Sequence, residues 1–249
     1  RHMNEIIASL YRRKSVRVFT GEPVSGEIKE AVLAAAAQAP TAGCQQLYTV
    51  LDITDQALKD RLAVTCDDQP FIAKAPVVLI FCADCQKWYD AYAEAGCAPR
   101  APGPGDLLLA VADACIAAQN AVTAAESLGL GSCYIGDILE RCGEHRALLD
   151  LPEWVVPAAM LVVGWPTGQQ RQRPKPERFP LEHIVCANRY RRKDGAQLRD
   201  MFAGQTGAKS FEDWLGAFCQ RKYESGFSRE MNRSAAEYLK AFPWKEEAT

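Results

Sequence analysis

Residues 107–128, LLLAVADACIAAQNAVTAAESL, constrain this chain more than any other stretch. They span about six helical turns and carry charge only at Asp113 and Glu126. A helix apolar on nearly all sides is buried either in protein or in lipid. Asp113, Gln119, Asn120, Thr123 and Glu126 interrupt this one too often for lipid. The pattern therefore predicts the central helix of a protein core, with no membrane-spanning segment. Asp106 is placed to cap its first turn after the breaker-rich residues 99–105, and Gly129 to adopt the positive φ that ends it. Gln119 and Asn120 lie mid-helix and need partners if buried. A subunit seam or a bound polar ligand would supply them, and so would a narrow solvated strip.

The 249 residues suffice for one large domain, or a domain with a small appendage. A formal charge of −2 gives no global basic field, which argues against nucleic acid and anionic membrane as partners. Phosphate binding must then be local. No charged-then-apolar leader opens the chain, and Arg1-His2 before Met3 reads as an expression remnant, so the expected location is cytoplasmic. The ten cysteines are scattered singly, mostly in apolar runs where a thiol serves as a small buried hydrophobe. Cys82-Ala83-Asp84-Cys85 spells CxxC without a second pair at zinc spacing, and reads as a core thiol followed by a loop thiol. His2, His145 and His183 are the only histidines and no HExxH occurs, so no metal site is expected. Neither a GxGxxG after the first strand nor a GxxxxGK[ST] loop is present.

In chain order, residues 4–11 form a short helix with Ile6, Ile7 and Leu10 on one face. If residues 13–19 are extended, period-two alternation puts Arg13, Ser15 and Arg17 on one side. Two guanidinium forks with a hydroxyl between them suit a phosphate or another oxygen-rich anion. Ser25 caps a helix through Ala39 that Pro40 ends, and the loop 41–46 follows. Residues 48–53 read as a strand, Thr54 or Asp55 caps a helix to Ala63, and residues 77–82 read as a fully buried strand. Beyond the central helix come a strand at 132–135, two helical pieces with Leu139 and Leu148-Leu149, and a strand at 158–163. Strands alternating with helices indicate a sheet with helical layers. Arg171, Arg173, Lys175 and Arg178 form a second basic cluster on a proline-stiffened loop. Weaker amphipathic helices around 211–218 and 231–239 would suit a lid or a partner-wrapping arm.

Arg13-x-Ser15-x-Arg17 after a short helix, residues 40–46, residues 125–131, Tyr134-Ile135-Gly136, Gly164-Trp165-Pro166 and Lys175-Pro176-x-Arg178 follow in an order and spacing that resembles the nitroreductase family. The resemblance covers residues 4 to about 195, and the tail is similar to that of the NADPH-preferring flavin-reductase branch. It implies an α+β fold with a central mixed sheet flanked by helices and the long central helix near a dimer interface. An FMN-binding domain at 4–195 and a helical extension at 196–249 are implied with it. It further implies a homodimer with each flavin contacted by both subunits, and NADPH or NADH as co-substrate. Hydride would pass to flavin N5 and on to a nitroaromatic, quinone or flavin acceptor, with no catalytic side chain.

By the same resemblance, Arg13, Lys175 and Arg178 meet the phosphate, and Ser15, Arg17, Gln46 and Gln69 the ribityl chain and the isoalloxazine edge. Thr41, Tyr134, Ile135, Gly136 and Asp137 line the flavin, and Gly43 and Cys44 face the substrate. The chain departs from the family at three points. Residues 41–44 lack the serine-rich form, Asp137 stands where this branch often has a second glycine, and Lys175-Pro176-Glu177-Arg178 is one residue longer than the usual Lys-Pro-Arg. A specialised dehalogenating or ene-reducing enzyme of the same superfamily, or a flavin-binding electron carrier, are the alternative functions.

Overall fold

Four strands build one sheet in the computed structural model, which describes residues 3–244; Arg1-His2 lie outside them. The strands are β1 (Tyr48–Asp52), β2 (Val77–Asp84), β3 (Gly131–Ile135) and β4 (Val155–Gly164). Their order is β1-β2-β4-β3, with every pair antiparallel. An isolated parallel bridge from Ser15 to Ser132 extends the sheet past β3 and makes it mixed. All eight residues of β2 are buried, because helices cover both faces, so its sequence is a continuous apolar run rather than an alternation. The register slips between Phe81 and Cys82, where β4 carries Pro157; a bulge tolerates a residue with no N–H to give.

Twelve helices are present among the described residues. They are α1 (Glu5–Arg12), α2 (Gly26–Ala37), α3 (Gln56–Thr65), α4 (Pro70–Lys74), α5 (Gln86–Glu94), α6 (Pro104–Ser127), α7 (Cys142–Leu148), α8 (Gly168–Gln172), α9 (Leu181–Ile184), α10 (Gly195–Thr206), α11 (Phe211–Phe218) and α12 (Gly226–Leu239). The caps read from sequence are in place, with Ser25 accepting from Ile28 N–H at 3.3 Å and Asp55 from Leu58 N–H at 3.1 Å. One face of the sheet, with Val77, Leu79, Phe81, Leu161 and Val163, packs on α2 and α6. The other, with Val78, Ile80, Cys82, Met160 and Val162, packs with Leu62 and Ile72 of α3 and α4.

The cap of the central helix α6 lies three residues before the expected one. Gly103 is the N-cap, Pro104 follows, and Asp106 instead accepts the Gly103 N–H at 2.8 Å from the third helical position while pairing with Arg100. Proline fits a first turn whose N–H groups have no helical partner. One face of α6 is almost all alanine, with Ala110, Ala114, Ala117, Ala118, Ala121 and Ala125 fully buried. Small side chains let α6 lie close to the sheet and to α2, where Asn120 donates to Ala35 O at 3.1 Å. By length and apolarity α6 could also cross a membrane; here the alanine face lies on the sheet. The opposite face is open and apolar, with Leu108 69% and Leu109 54% exposed, and Ile6 of α1 is 67% exposed.

The chain forms two compact units, one running to Arg173 and resuming at Glu230, the other Pro174–Arg229. This division differs from a boundary at 195/196 because Tyr238 and Phe242 are buried in a core with Leu47, Cys85, Leu107 and Val156. The second unit is held by aromatic packing. The Phe202 ring lies 5.0 Å from Phe179 and 5.9 Å from Trp214, and Trp214 stacks on Phe218 at 5.0 Å. All ten cysteines are free thiols. Burial pushes both Cys82 and Cys85 up to about 12, which suits inert core thiols.

Candidate functional site

Beyond β3 the extended segment 13–19 is fixed by Val16 N–H donating to Ser132 O at 2.8 Å. The approach is close enough to require glycine at 131, since a Cβ there would stand 2.6 Å from Val16 Cγ2. This register places Arg13 and Arg17 on either side of Ser15, as the alternation predicts. A third guanidinium joins them. Arg173 donates through Nη2 to Ser15 O, and Lys14 Nζ donates to the carbonyls of Arg171 and Arg173, tying that turn to the segment. Burial raises the Cys133 thiol, and the nearby cations Arg17, Arg13 and Arg173 pull it back down. None of these three guanidiniums forms an ion pair with a described residue. The Arg173 Nε is buried without a hydrogen-bond partner. Unneutralised like charges and an orphaned donor form a cradle for an oxyanion. Lys175 and Arg178 belong to the second unit, where Arg178 Nη1 donates to Pro176 O at 3.2 Å. Arg173, which the sequence places in the second basic cluster but not among the phosphate ligands, joins them here.

The end of β3 continues this corner. Tyr134 is 38% exposed, while the Ile135 side chain is buried in the core, so Ile135 offers only backbone. Tyr134 Oη donates to Gln119 Oε1 at 3.4 Å, and burial raises its phenol well above the usual range. A 3₁₀ turn, Gly136–Leu139, then presents exposed Gly136 and half-buried Asp137. Gln69 reaches this turn because Asp67 and Asp68 both adopt left-handed φ just before it. Its Nε2 donates to Cys66 O at 2.8 Å and to Asp137 Oδ2 at 2.9 Å. The Cys66 carbonyl only accepts, which fixes the amide with Nε2 inward and Oε1 turned away from both partners.

The loop 41–47 is organised elsewhere, by Asp113 of α6. This carboxylate, 3% exposed, accepts from Thr41 Oγ1, from Ala42 N–H at 3.1 Å and from Leu47 N–H at 3.1 Å. Thr41 Oγ1 in turn accepts the Gln46 N–H at 2.8 Å. The bonds hold Gly43 and Gln46 at φ of 56° and 48°, the second a costly value for a residue with a Cβ. Gln46 Nε2 donates to Ala37 O and Tyr48 Oη, both at 3.3 Å, and the Cys44 thiol is exposed. A cavity of about 420 Å³ opens beside the loop, lined by Gln45, Trp88, Tyr89, Tyr92 and Arg100 among others.

The expected site residues therefore fall at two opposite corners of the sheet. Ser15 is level with Ser132 and so with Val163, whereas Tyr48 is level with Ala83 and so with Val156. The stretch of β4 between those levels is about 23 Å at the rise of a strand, and the ladder steps from the Ser15 segment to β1 add roughly 19 Å sideways. Within one chain, Arg13, Ser15 and Arg17 do not meet Thr41, Gly43, Cys44 and Gln46; Ile135, level with Met160, is nearer the Tyr48 level but three strands across from β1.

The profile of the Nitroreductase family matches residues 10–165, which contain the whole sheet and α6. The chain belongs to the nitroreductase family. Among relatives, it is 37% identical over 194 residues to an oxygen-insensitive NADPH nitroreductase of Salmonella typhimurium, covering 77% of each chain. It is 31% identical over 235 residues to an FMN reductase [NAD(P)H] of Bacillus subtilis, covering 89% of this chain and 93% of the relative. Among solved structures, B. megaterium NfrA2 superposes with a TM-score of 0.82 at 28% identity, over 98% of this chain and all of that one. The nitroreductase-family profile ends at residue 165, so Arg173, Lys175 and Arg178 all lie past the matched span.

Proposed function

We propose that the chain is an FMN-dependent NAD(P)H oxidoreductase that works as a homodimer, with FMN seated at the Arg13–Arg17 corner. The observation that carries this reading is the cluster of three guanidiniums around Ser15 with no counter-anion among the described residues. It fits a terminal phosphate, and relatives named for FMN and NADPH chemistry support the assignment. When bound, FMN would supply the redox chemistry, taking hydride at N5 from NAD(P)H and passing it to a nitroaromatic, quinone or flavin acceptor in two half-reactions. The protein's own part is placement. Arg13 and Arg173 hold the phosphate, with Lys175 and Arg178 as further ligands by resemblance. Ser15 and Arg17 follow the ribityl chain toward the pyrimidine edge, and Gln69, Tyr134 and the backbone of Ile135, Gly136 and Asp137 bound the ring. No side chain acts as nucleophile. The partners are a second copy and small-molecule acceptors, without nucleic acid or membrane, in the cytoplasm.

The two separated corners support the homodimer. A second copy related by a two-fold axis can bring its Thr41, Gly43, Cys44 and Gln46 to the first copy's Arg13 corner, and the reverse contact comes with it. The open apolar faces of α6 and α1 supply the area to bury. The second unit, Pro174–Arg229, is then the arm that wraps the partner.

The protein is expected to purify yellow, with FMN identified by chromatography after heat release. A colourless protein that fails to take up FMN overturns the reading. NADPH should bleach it rapidly and an acceptor should restore the colour, whereas slow bleaching with every acceptor would mean an electron carrier. Sedimentation should find a dimer whose flavin is lost on dilution, and a stable monomer with full flavin would exclude the shared site.

Arg13 and Arg17 should separate by redox state. The phosphate charge does not change on reduction, so Arg13→Ala weakens both flavin states about equally and leaves the potential in place. Arg17 faces the edge where reduction places negative charge, so its cation favours the reduced form, and only such differential binding shifts an equilibrium. A two-electron couple moves about 30 mV per ~1.4 kcal/mol, so Arg17→Ala should lower the potential by tens of millivolts. Spectroelectrochemical titration giving the opposite pattern would reverse the two placements.

A further inference from the structure

Behind Gln69 stands a carboxyl group that the function above does not use. Asp137 and Glu140 bracket one turn, with Glu140 N–H donating to Asp137 O at 3.0 Å, and their carboxyls lie within hydrogen-bonding reach of each other. Glu140 is only 4% exposed, and its Oε1 has no hydrogen-bond partner. The cations nearest the pair, Arg141 and Arg233, are paired with other carboxylates, Arg233 with Glu230 at 2.7 Å. Asp67, from the turn after α3, and Glu230, of α12, add negative charge. Arg141, next in the chain, is turned to Glu144 at 3.5 Å. His145 is committed through Nδ1 to Ile138 O at 3.0 Å and through Nε2 to Thr65 Oγ1 at 2.8 Å, and burial lowers its pKa, keeping it neutral. Cys66, 4.0 Å from His145, is held up at about 12, chiefly by burial. Neither Asp137 nor Glu140 is in an ion pair with a described residue. Two carboxyls this close, with one amide N–H from Gln69 as outside donor, do not both ionise readily and hold a proton between them.

We propose that Asp137 and Glu140 form a proton-sharing pair that positions Gln69 against the flavin edge and couples the charge on the ring to the proton between the two carboxyls. The proposal rests on the FMN reading. Asp137 takes the Gln69 N–H and so aims Oε1 outward, and the pair then sits one side chain behind the ring. Burial first, and Asp137 next, push Glu140 up to about 7, so the shared proton leaves near neutrality. Below that pH the pair carries one negative charge. Above it the pair carries two, and the reduced ring, which is the more negative state, is disfavoured. Glu140→Gln removes the titrating carboxyl while keeping its shape.

The test is the midpoint potential of the holoprotein against pH, after its FMN content has been measured. At pH 6 wild type and Glu140→Gln should agree. By pH 8 wild type should lie lower by a tenfold shift in the reduction equilibrium, about 30 mV for a two-electron couple. Two curves that stay parallel would overturn the pair, whereas absence of FMN from the wild type would overturn the functional reading instead. A second measurement needs no variant. The infrared difference spectrum of wild type at pH 8, reduced minus oxidised, should gain a protonated-carboxyl carbonyl band, and its absence overturns the proposal.

Discussion

Asp113→Ala should lower the stability of the protein by about 3 kcal/mol, read as a fall in the urea midpoint, and should release the loop 41–47. The carboxylate is buried and accepts three hydrogen bonds, from the Thr41 hydroxyl and from the Ala42 and Leu47 N–H groups. A hydrogen bond to a charged group contributes roughly 1.5–3 kcal/mol, and a buried donor left without a partner costs about 1–3 kcal/mol. Alanine leaves two backbone donors unpaired, and relaxation of the loop recovers part of the loss. Gln46 would then lose a bond that holds it at its left-handed φ and should relax from it. Asp113→Asn keeps one acceptor oxygen and should cost less than half as much. An unchanged urea midpoint in Asp113→Ala would show that the loop is held by something else, such as Trp88 Nε1 donating to Gln45 O at 2.8 Å.

Gly131→Ala should be comparably damaging and should act on flavin binding as well. The added Cβ would meet Val16 Cγ2 at 2.6 Å, Cβ at 2.8 Å and Cγ1 at 3.1 Å, and a β-branched side chain cannot swing clear. Overpacking of this kind costs about 1–3 kcal/mol, occasionally more. Relief requires Val16 to move away from Ser132, which breaks the bridge that sets Arg13, Ser15 and Arg17 in register. Retained FMN should therefore fall more steeply than stability. Adding Val16→Ala to Gly131→Ala removes the contacts with Cγ1 and Cγ2 but leaves Cβ at 2.8 Å, so it should restore part of both, a coupling that a double-mutant cycle measures. Gly143→Ala in α7, where a Cβ meets nothing within 4 Å, is the control and should be neutral or slightly stabilising. Equal damage from the two glycine variants would refute the steric argument.

What the sequence discloses is what local pattern can encode. The alanine-rich run of α6, the unbroken apolar run of β2, the caps Ser25 and Asp55 and the alternation of Arg13, Ser15 and Arg17 are each written within a dozen residues. What it hides depends on partners far along the chain. Asp113 reads as an interruption of a helix until Thr41 and Leu47 are folded onto it. Arg173 reads as one of four members of a basic cluster, with nothing to single it out until Lys14 and Ser15 draw it in. Glu140 has no local mark of burial, because Asp67 and Glu230 come to it from distant elements. Tyr238 and Phe242 look like the side of an arm, and their return to the first core is a tertiary fact.

The strand order has a consequence for how the chain is made. Strand β2 can pair with β1 as soon as it leaves the ribosome, but its other edge waits for β4, which begins about 70 residues later, at Val155. At 5–20 residues per second that interval is roughly 4–14 s. Helix α6 emerges meanwhile and can shield one face of β2, yet a helix cannot satisfy a row of open strand N–H and C=O groups. For those seconds the nascent chain exposes an apolar edge without charge from Val77 to Ala83, the kind that neighbouring chains pair with. The hazard of misassembly is thus greatest during translation, and it ends when the chain's own late strand arrives to close it.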